Sequence, residues 1–158
     1  MSLNAQDFAG VTLALNSGAL AIGSTTSQYT NAAAINYAIN GRLYQRAITA
    51  SQALVIEDNT SPNPLTPDTF VSLGANQACT FLICLDSALA ARVVQGPIVE
   101  ASSTLVPVGQ LPDNRAVCGV IKVVTGATGT FVPGTTALSA AGVTTTYINM
   151  VAHPGGPI

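Results

Sequence analysis

The chain has 158 residues, of which 48% are hydrophobic and 8% are charged, and its net charge is −2. This hydrophobic share excludes an intrinsically disordered chain, because burial can offset the entropy lost on ordering. Soluble domains are on average about one quarter charged, and a monomer of this mass exposes roughly 7,400 Å² of surface. The composition therefore predicts one domain whose sparsely charged surface is largely covered by other protein.

The charge pattern also bears on the class of partner. The five basic residues are dispersed and are outnumbered by seven acidic ones, whereas phosphate backbones and membrane-surface helices need clustered cations. The apolar stretch 8–22 contains polar residues and is shorter than the roughly 20 residues of a spanning helix. Residues 1–7 lack the basic start of a secretory signal. We expect no direct nucleic-acid partner, no membrane partner and synthesis in a cytoplasm.

The residue types favour strands joined by turns. β-Branched residues, Gly and Pro are frequent, while Trp is absent, which is typical of an all-β protein. We predict an antiparallel β-sandwich or a Greek-key or jelly-roll-like barrel. Residues 1–30 are rich in Gly, Ser and Thr and predict an extended N-terminal arm or leading strands. Residues 31–158 predict a single β domain with an irregular C-terminal tail.

The first clear element is a hairpin. Ile35, Tyr37 and Ile39 alternate with smaller or polar residues up to Asn40-Gly41, and this dipeptide tolerates the positive φ angles of a type I′ turn. Residues 42–46 would form the return strand. A short helix over 31–39 is the alternative, since three alanines precede Ile35.

The middle of the chain predicts a loop and then a buried hairpin. Residues 58–69 contain three prolines and predict a loop. Residues 78–85 are a nearly continuous apolar run of strand length, which suits a central strand buried on both faces. A turn at 86–88 leads into a strand over 92–95.

The last third predicts further strands. A turn at 111–114 precedes a strand over 117–125. The segment 126–129 would reverse the chain into a return strand over 130–132. A final strand is predicted over 143–150 because its residues alternate in polarity.

The three cysteines do not predict a metal site. Cys79, Cys84 and Cys118 are an odd number without C-x-x-C spacing, so free buried thiols are expected, with one disulfide and a spare thiol as the alternative. Five positions apart in a strand, Cys79 and Cys84 point to opposite faces and cannot share a metal ion.

The remaining chemical groups suggest no active site. His153 is the one histidine and lies in a Pro- and Gly-rich stretch, where a catalytic role is not expected. Glu57 and Glu100 are the carboxylates without an evident turn role, and they would be the pair for a glycosidase. Gly126 and Gly129 fit a hairpin turn better than a phosphate loop. We predict no catalytic, cofactor-binding or metal-binding residue, and hence no enzyme.

Two stretches carry a resemblance to a known class of protein. Residues 111–123 contain a Leu-Pro-Asp turn and a Gly-Val-Ile-Lys-Val strand, and residues 131–144 contain Phe-x-Pro-Gly-Thr-Thr and Ala-Gly-Val-Thr. This pattern resembles small virion structural proteins of tailed bacteriophages, some of which are capsid decoration, or cement, proteins. The hairpin at residues 39–44 fits the same class. These motifs are turn-and-strand signatures without catalytic residues.

The resemblance implies a place and partners. It implies a protein of the capsid surface of a virion, made in the cytoplasm of a bacterial host, that forms a homodimer or homotrimer and binds the phage major capsid protein. The nearly uncharged segments 8–41 and 123–158 are then the candidate contact surfaces. Removal of residues 1–22 is expected to abolish capsid binding.

Other functions remain open at this stage. The chain is equally suited to a phage tail, baseplate or fibre component. A glycan-binding adhesin on the virion surface is a further alternative, and Tyr29 or Tyr44 would then contact the sugar. An enzyme that uses Glu57 and Glu100 ranks last.

Overall fold

The computed structural model describes residues 10–54, 70–111 and 113–150. Within these ranges the chain forms β-strands joined by turns and contains no α-helix. The strands are β1 (Leu13–Ala14), β2 (Leu20–Ile22), β3 (Gln28–Asn31), β4 (Ile35–Ile39), β5 (Arg42–Arg46), β6 (Thr49–Ala53), β7 (Gln77–Leu85), β8 (Ala91–Gln95), β9 (Val99–Glu100), β10 (Ala116–Thr125) and β11 (Val143–Asn149).

The strands form an antiparallel β-sandwich, so the predicted all-β fold is confirmed. One sheet has the order β11-β10-β7-β8, with β9 beside one end of β7. The other layer consists of two three-stranded sheets, β1-β4-β5 and β2-β3-β6. All of these strand pairs are antiparallel.

The centre of the sandwich is the pair β7 and β10. Eight of the nine residues of β7 are buried, which confirms the prediction of a strand covered on both faces. One face of this pair contributes Phe81 and Ile121 to the larger core cluster. The opposite face contributes Leu82 and Val120 to a smaller cluster, which half-buried residues such as Val108 cover.

The two three-stranded sheets are halves of one bent meander. The register of the β4–β5 hairpin is displaced by one residue at Asn31 and is regained at Tyr29 in the β3–β6 pair. On the other flank, β1–β4 and β2–β3 also share one register. Backbone bonds continue that register through the corner, from Ala33 N to Gly18 O at 3.1 Å and from Ala32 N to Ala19 O at 3.2 Å. The two three-stranded sheets are therefore parts of one long three-stranded sheet, which bends over the core.

The hairpin prediction is confirmed at its turn. Asn40 and Gly41 have φ angles of 49° and 79°, as a type I′ turn requires. The alternative helix over 31–39 is wrong, because Ile35 and Tyr37 alternate into the core from a strand. The strands predicted over 78–85, 92–95, 117–125 and 143–150 correspond to β7, β8, β10 and β11.

The predicted return strand over 130–132 is wrong. The antiparallel neighbour of β10 on that side is β11, which begins opposite Thr125. Phe131 instead forms an isolated bridge with Leu73 and packs edge-on against Phe81 at a ring distance of 5.9 Å. Burial of this aromatic ring in the core carries the chain away from β10.

The described part of residues 1–30 has the form of leading strands. Ala14 in β1 and Leu20 in β2 are both buried in the main core cluster. Residues 1–9 lie outside the described residues, as do the predicted loop at 58–69 and the tail from 151 to 158.

Gly119 of β10 allows the meander to pack closely against the central sheet. A Cβ atom at this position of β10 would lie 2.4 Å from Leu20 Cδ1 and 2.7 Å from Ile148 O. The missing side chain therefore makes room for Leu20 of β2 and for the backbone of β11.

We predict that Gly119→Ala lowers the free energy of unfolding by about 1–3 kcal/mol, because the added methyl group overpacks the core. Gly126→Ala is the matched control, since its Cβ would meet nothing closer than 3.7 Å. Urea unfolding of both variants measures the difference. Equal midpoints for the two variants would contradict this role for Gly119.

Candidate functional site

Asp86 has a structural role in the β7–β8 turn. Its Oδ1 accepts hydrogen bonds from Ala88 N and Ala90 N, both at 2.9 Å, and its Oδ2 accepts one from Arg92 Nε at 2.9 Å. Burial acts to raise the pKa of Asp86, but the bonds from Ala90, Arg92 and Ala88 outweigh it and hold the pKa below its usual range. The carboxylate is thus ionised and fully engaged in the turn.

Tyr37 connects the two layers of the sandwich. Its ring is buried under the meander, and its hydroxyl donates to the backbone oxygen of Asp86 at 2.7 Å. Burial is the main cause that raises the pKa of Tyr37 to about 12, and the charge of Asp86 adds to it. The neutral hydroxyl is therefore the form that the fold stabilises.

The raised pKa of Tyr37 predicts a loss of stability in alkali. Its pKa is about 12 in the folded chain against a usual value of 10.0, so the folded chain binds the proton more tightly and its stability falls as pH rises across that interval. Tyr37→Phe removes this pH dependence of stability. Because one hydrogen bond is lost, the variant also has a free energy of unfolding about 1 kcal/mol lower than the parent at neutral pH. Unfolding followed by circular dichroism at pH 8 and pH 11 tests both effects. An unchanged difference between variant and parent at the two pH values would contradict this prediction.

The three cysteines are free and buried, as predicted. Cys79 and Cys118 belong to the larger core cluster, and Cys84 belongs to the smaller one. Cys79 and Cys84 thus face opposite sides of β7. Burial raises the pKa of Cys79 and of Cys118 to about 12 and raises the pKa of Cys84 as well. A thiol with a raised pKa and no access to solvent is a poor nucleophile and metal ligand.

We predict that a thiol reagent such as dithionitrobenzoate leaves the folded protein unmodified at about pH 8, because thiolates are scarce and inaccessible. After denaturation all three cysteines should react. Release of the coloured thiolate product measures both states. Rapid modification of the folded protein would show that a cysteine is accessible.

The other residues weighed from the sequence do not come together as a site. Glu100 lies in β9 and is exposed, while Glu57 and His153 lie outside the described residues. Gly126 and Gly129 form a tight turn, with Gly129 N donating to Gly126 O at 3.2 Å. Within the described ranges no group of three or more His, Cys, Asp or Glu side chains could hold a metal ion.

A depression with both polar and apolar lining lies on the outer face of the β1-β4-β5 sheet. Its volume is about 570 Å³, and we call it the outer depression. It is lined by Leu15, Asn16, Asn36, Leu43, Tyr44 and Gln45. Two exposed leucines and three amides form a surface suited to contact with neutral groups.

Hydrogen bonds link the amides of the outer depression from β5 through β4 to the segment that follows β1. Gln45 Nε2 donates to Asn36 Oδ1 at 2.9 Å, and Asn36 N donates to Asn16 Oδ1 at 2.7 Å. Asn16 Nδ2 in turn donates to Ala34 O at 2.8 Å. Sequence reasoning missed this amide row because Asn16 and Asn36 are distant in the chain.

Exposed apolar side chains are not confined to the uncharged segments. The large hydrophobic residues that are exposed in the described ranges are Leu15, Ile22, Leu43, Ile48, Val71, Leu89, Leu105 and Val132. Five of these eight lie between residues 42 and 122. Exposed apolar side chains are therefore found outside segments 8–41 and 123–158 as well, in the middle of the chain.

The two tyrosines considered for sugar binding are both engaged. Tyr29 is buried in the core. Tyr44 stacks on Tyr37 at a ring distance of 5.4 Å, and the Arg42 guanidinium lies 5.5 Å from the Tyr44 ring centre. The Tyr44 ring thus has little face left for a sugar.

Comparison of the chain with protein-family models, with curated proteins and with solved structures found no match. In the residues that the structure describes, no helix has the length and apolar character needed to cross a membrane.

Proposed function

We propose that this chain is a non-enzymatic structural protein of a phage virion, which binds and reinforces the assembled capsid. The observation that carries the proposal is an apolar surface that is poor in charge. An accessible surface of 7740 Å² carries twelve charged side chains in the whole sequence, together with exposed leucine, isoleucine and valine side chains. Such surfaces commonly mark contact with other protein.

Part of the sparse charge is also internal to the fold. Arg92 pairs with Asp86 at 2.9 Å, so these two charges largely cancel. Arg46 keeps its charge, but hydrogen bonds to Gln52 Oε1 at 2.9 Å and to Leu89 O hold its side chain against the fold. The ion pair leaves fewer unpaired charges to repel neighbouring copies in solution. This supports a protein that works in an assembly.

The roles of the chemical groups agree with a structural protein. The three thiols fill the core, Asp86 organises a turn, and Tyr37 joins the layers. The virion location is the part of the proposal that rests on the resemblance of residues 111–123 and 131–144 to phage virion proteins. Self-association as a dimer or trimer and contact with the major capsid protein are parts of the same proposal.

The proposed mechanism is reinforcement by selective binding. Contacts at exposed apolar residues contribute about 25 cal/mol per Å² buried, less the cost of immobilising the protein. A protein that binds the assembled lattice but not the free subunits stabilises that lattice by mass action. The β-sandwich supplies a stiff body for this purpose.

We predict that the amount bound to purified particles changes little between about 0.1 M and 1 M salt, because uncharged contacts are not screened. Sedimentation of particles followed by quantification of the chain in the pellet measures this. Release of most of the protein at high salt would contradict binding through uncharged surfaces.

Location is tested separately by imaging particles that carry a labelled chain. Label spread over the capsid supports the proposal, whereas label at the tail or baseplate would replace it with that assignment. Deletion of residues 1–22 is a poor test of binding, because it removes β1 and β2 with the core residues Ala14 and Leu20. Deletion of residues 2–9 leaves every described strand in place.

A further inference from the structure

The outer edge of β5 carries backbone groups that no described strand pairs. In a hairpin with a two-residue turn, hydrogen-bonded residue pairs alternate with pairs that are not hydrogen-bonded. The pair that closes the turn, here Ile39 and Arg42, is hydrogen-bonded. The N–H and C=O groups of Leu43 and Gln45 therefore point away from β4. In β6, which continues the same long strand, Ser24 N donates to Ala50 O at 3.2 Å. The open part of this edge is thus β5.

The two faces of β5 differ in chemistry. Leu43 and Gln45 lie on the outer face and line the outer depression. Arg42, Tyr44 and Arg46 lie on the inner face. Arg42 is exposed, and none of the described carboxylates forms an ion pair with it. A strand that pairs here should present a carboxylate to one face and neutral or apolar side chains to the other.

We propose that residues 2–8 of the same chain add to this edge as a further antiparallel strand. In the proposed register, Phe8 lies opposite Leu43, and Gln6 lies opposite Gln45. Asp7 then lies opposite Tyr44. Backbone hydrogen bonds between these residues would satisfy the open N–H and C=O groups of β5.

The sequence of this segment matches both faces of β5 in this register. Asp7 would share a face with Arg42 and Arg46 and lie diagonal to each, within reach of their side chains. Phe8 would pack beside Leu43 at the outer depression, and Gln6 would extend the amide row. A slip of one residue would move the carboxylate to the neutral face.

The path of the chain favours docking within one molecule. Val11 O accepts a hydrogen bond from Gly41 N at 3.0 Å, so the chain already lies at the β4–β5 turn. Gly10 lies between Val11 and the segment 2–8, and its φ of 78° permits a sharp change of chain direction there. This short connection gives the segment a high effective concentration at the edge.

The resulting topology would be a common one. The meander consists of three long strands, formed by β1 with β2, by β3 with β4 and by β5 with β6, and hairpins join them in that order. The added strand would lie beside the third of these, at β5. This is the Greek-key order of four strands, read from the opposite end of the chain.

A second copy of β5 is a poorer occupant of the edge. Antiparallel pairing of two such strands about Tyr44 would place Arg42 of one copy opposite Arg46 of the other, and like charges in that position are destabilising. The inference does not depend on the proposed virion role. It does imply that self-association uses surfaces other than β5.

Disulfide trapping in the full chain tests the proposal. Directly opposed residues in a hydrogen-bonded pair lie about 5.5 Å apart at Cα, which suits a disulfide. The test variant carries Phe8→Cys and Leu43→Cys, and the control carries Phe8→Cys and Leu105→Cys. Leu43 and Leu105 are both 58% exposed, and the three natural cysteines are buried.

Mild oxidation should close a disulfide within single molecules of the test variant and not in the control. Non-reducing electrophoresis and intact mass show this as a compact monomer that has lost two hydrogens. A covalent dimer of the test variant would overturn docking within one molecule. Closure at equal rates in the two variants, or none in either, would overturn the register.

The charge pair gives a second test. Asp7→Arg should slow closure in the test variant about fivefold, and the further change Arg42→Asp should restore most of that rate. Equal closure rates in all three proteins would contradict the proposed pairing of Asp7.

Hydrogen exchange tests the unmodified protein. The amides of Leu43 and Gln45 should exchange at least about tenfold more slowly in the full chain than in a chain that lacks residues 2–8, because docking would hydrogen-bond them. The amide of Arg42, which faces β4, serves as the internal control. Equal exchange of Leu43 and Gln45 in both proteins would overturn the proposal.

Discussion

The structure depends on covering both faces of the β7–β10 pair. These strands are almost wholly buried, so each face of the central sheet needs its own layer. The bent meander covers one face, where Leu20 fits over Gly119, and residues around Val108 cover the other. The strands of the meander that cover the core are short, and each has between two and five residues.

This constraint also accounts for the surface. The strands that cover the core expose mainly polar side chains, and of the exposed large hydrophobic residues only Ile22 in β2 and Leu43 in β5 lie on them. The other exposed apolar side chains lie in the turns and loops of the described ranges. Charges are placed where they organise local structure, as in the pair of Asp86 and Arg92. A monomer with such a surface gains from contact with other protein, which links the fold to the proposed role in a virion.

The sequence predicted the local features and missed the distant ones. The turn at Asn40-Gly41 and the buried run at 78–85 were predictable because backbone preference and polarity act over a few residues. The pairing of β10 with β11 was not, because it depends on where Phe131 packs against Phe81. The outer depression was missed for the same reason, since Asn16, Asn36 and Gln45 meet only after the meander forms. Free, buried thiols were predictable from the odd number of cysteines and the absence of C-x-x-C spacing.

If the uncharged surface is a contact surface between proteins, the purified chain should associate with itself. Sedimentation equilibrium at low and high salt measures this association. We expect a dimer or trimer whose mass is unchanged or larger at high salt, because apolar contacts are not screened. A stable monomer of 16.0 kDa at high protein concentration under both conditions would contradict it.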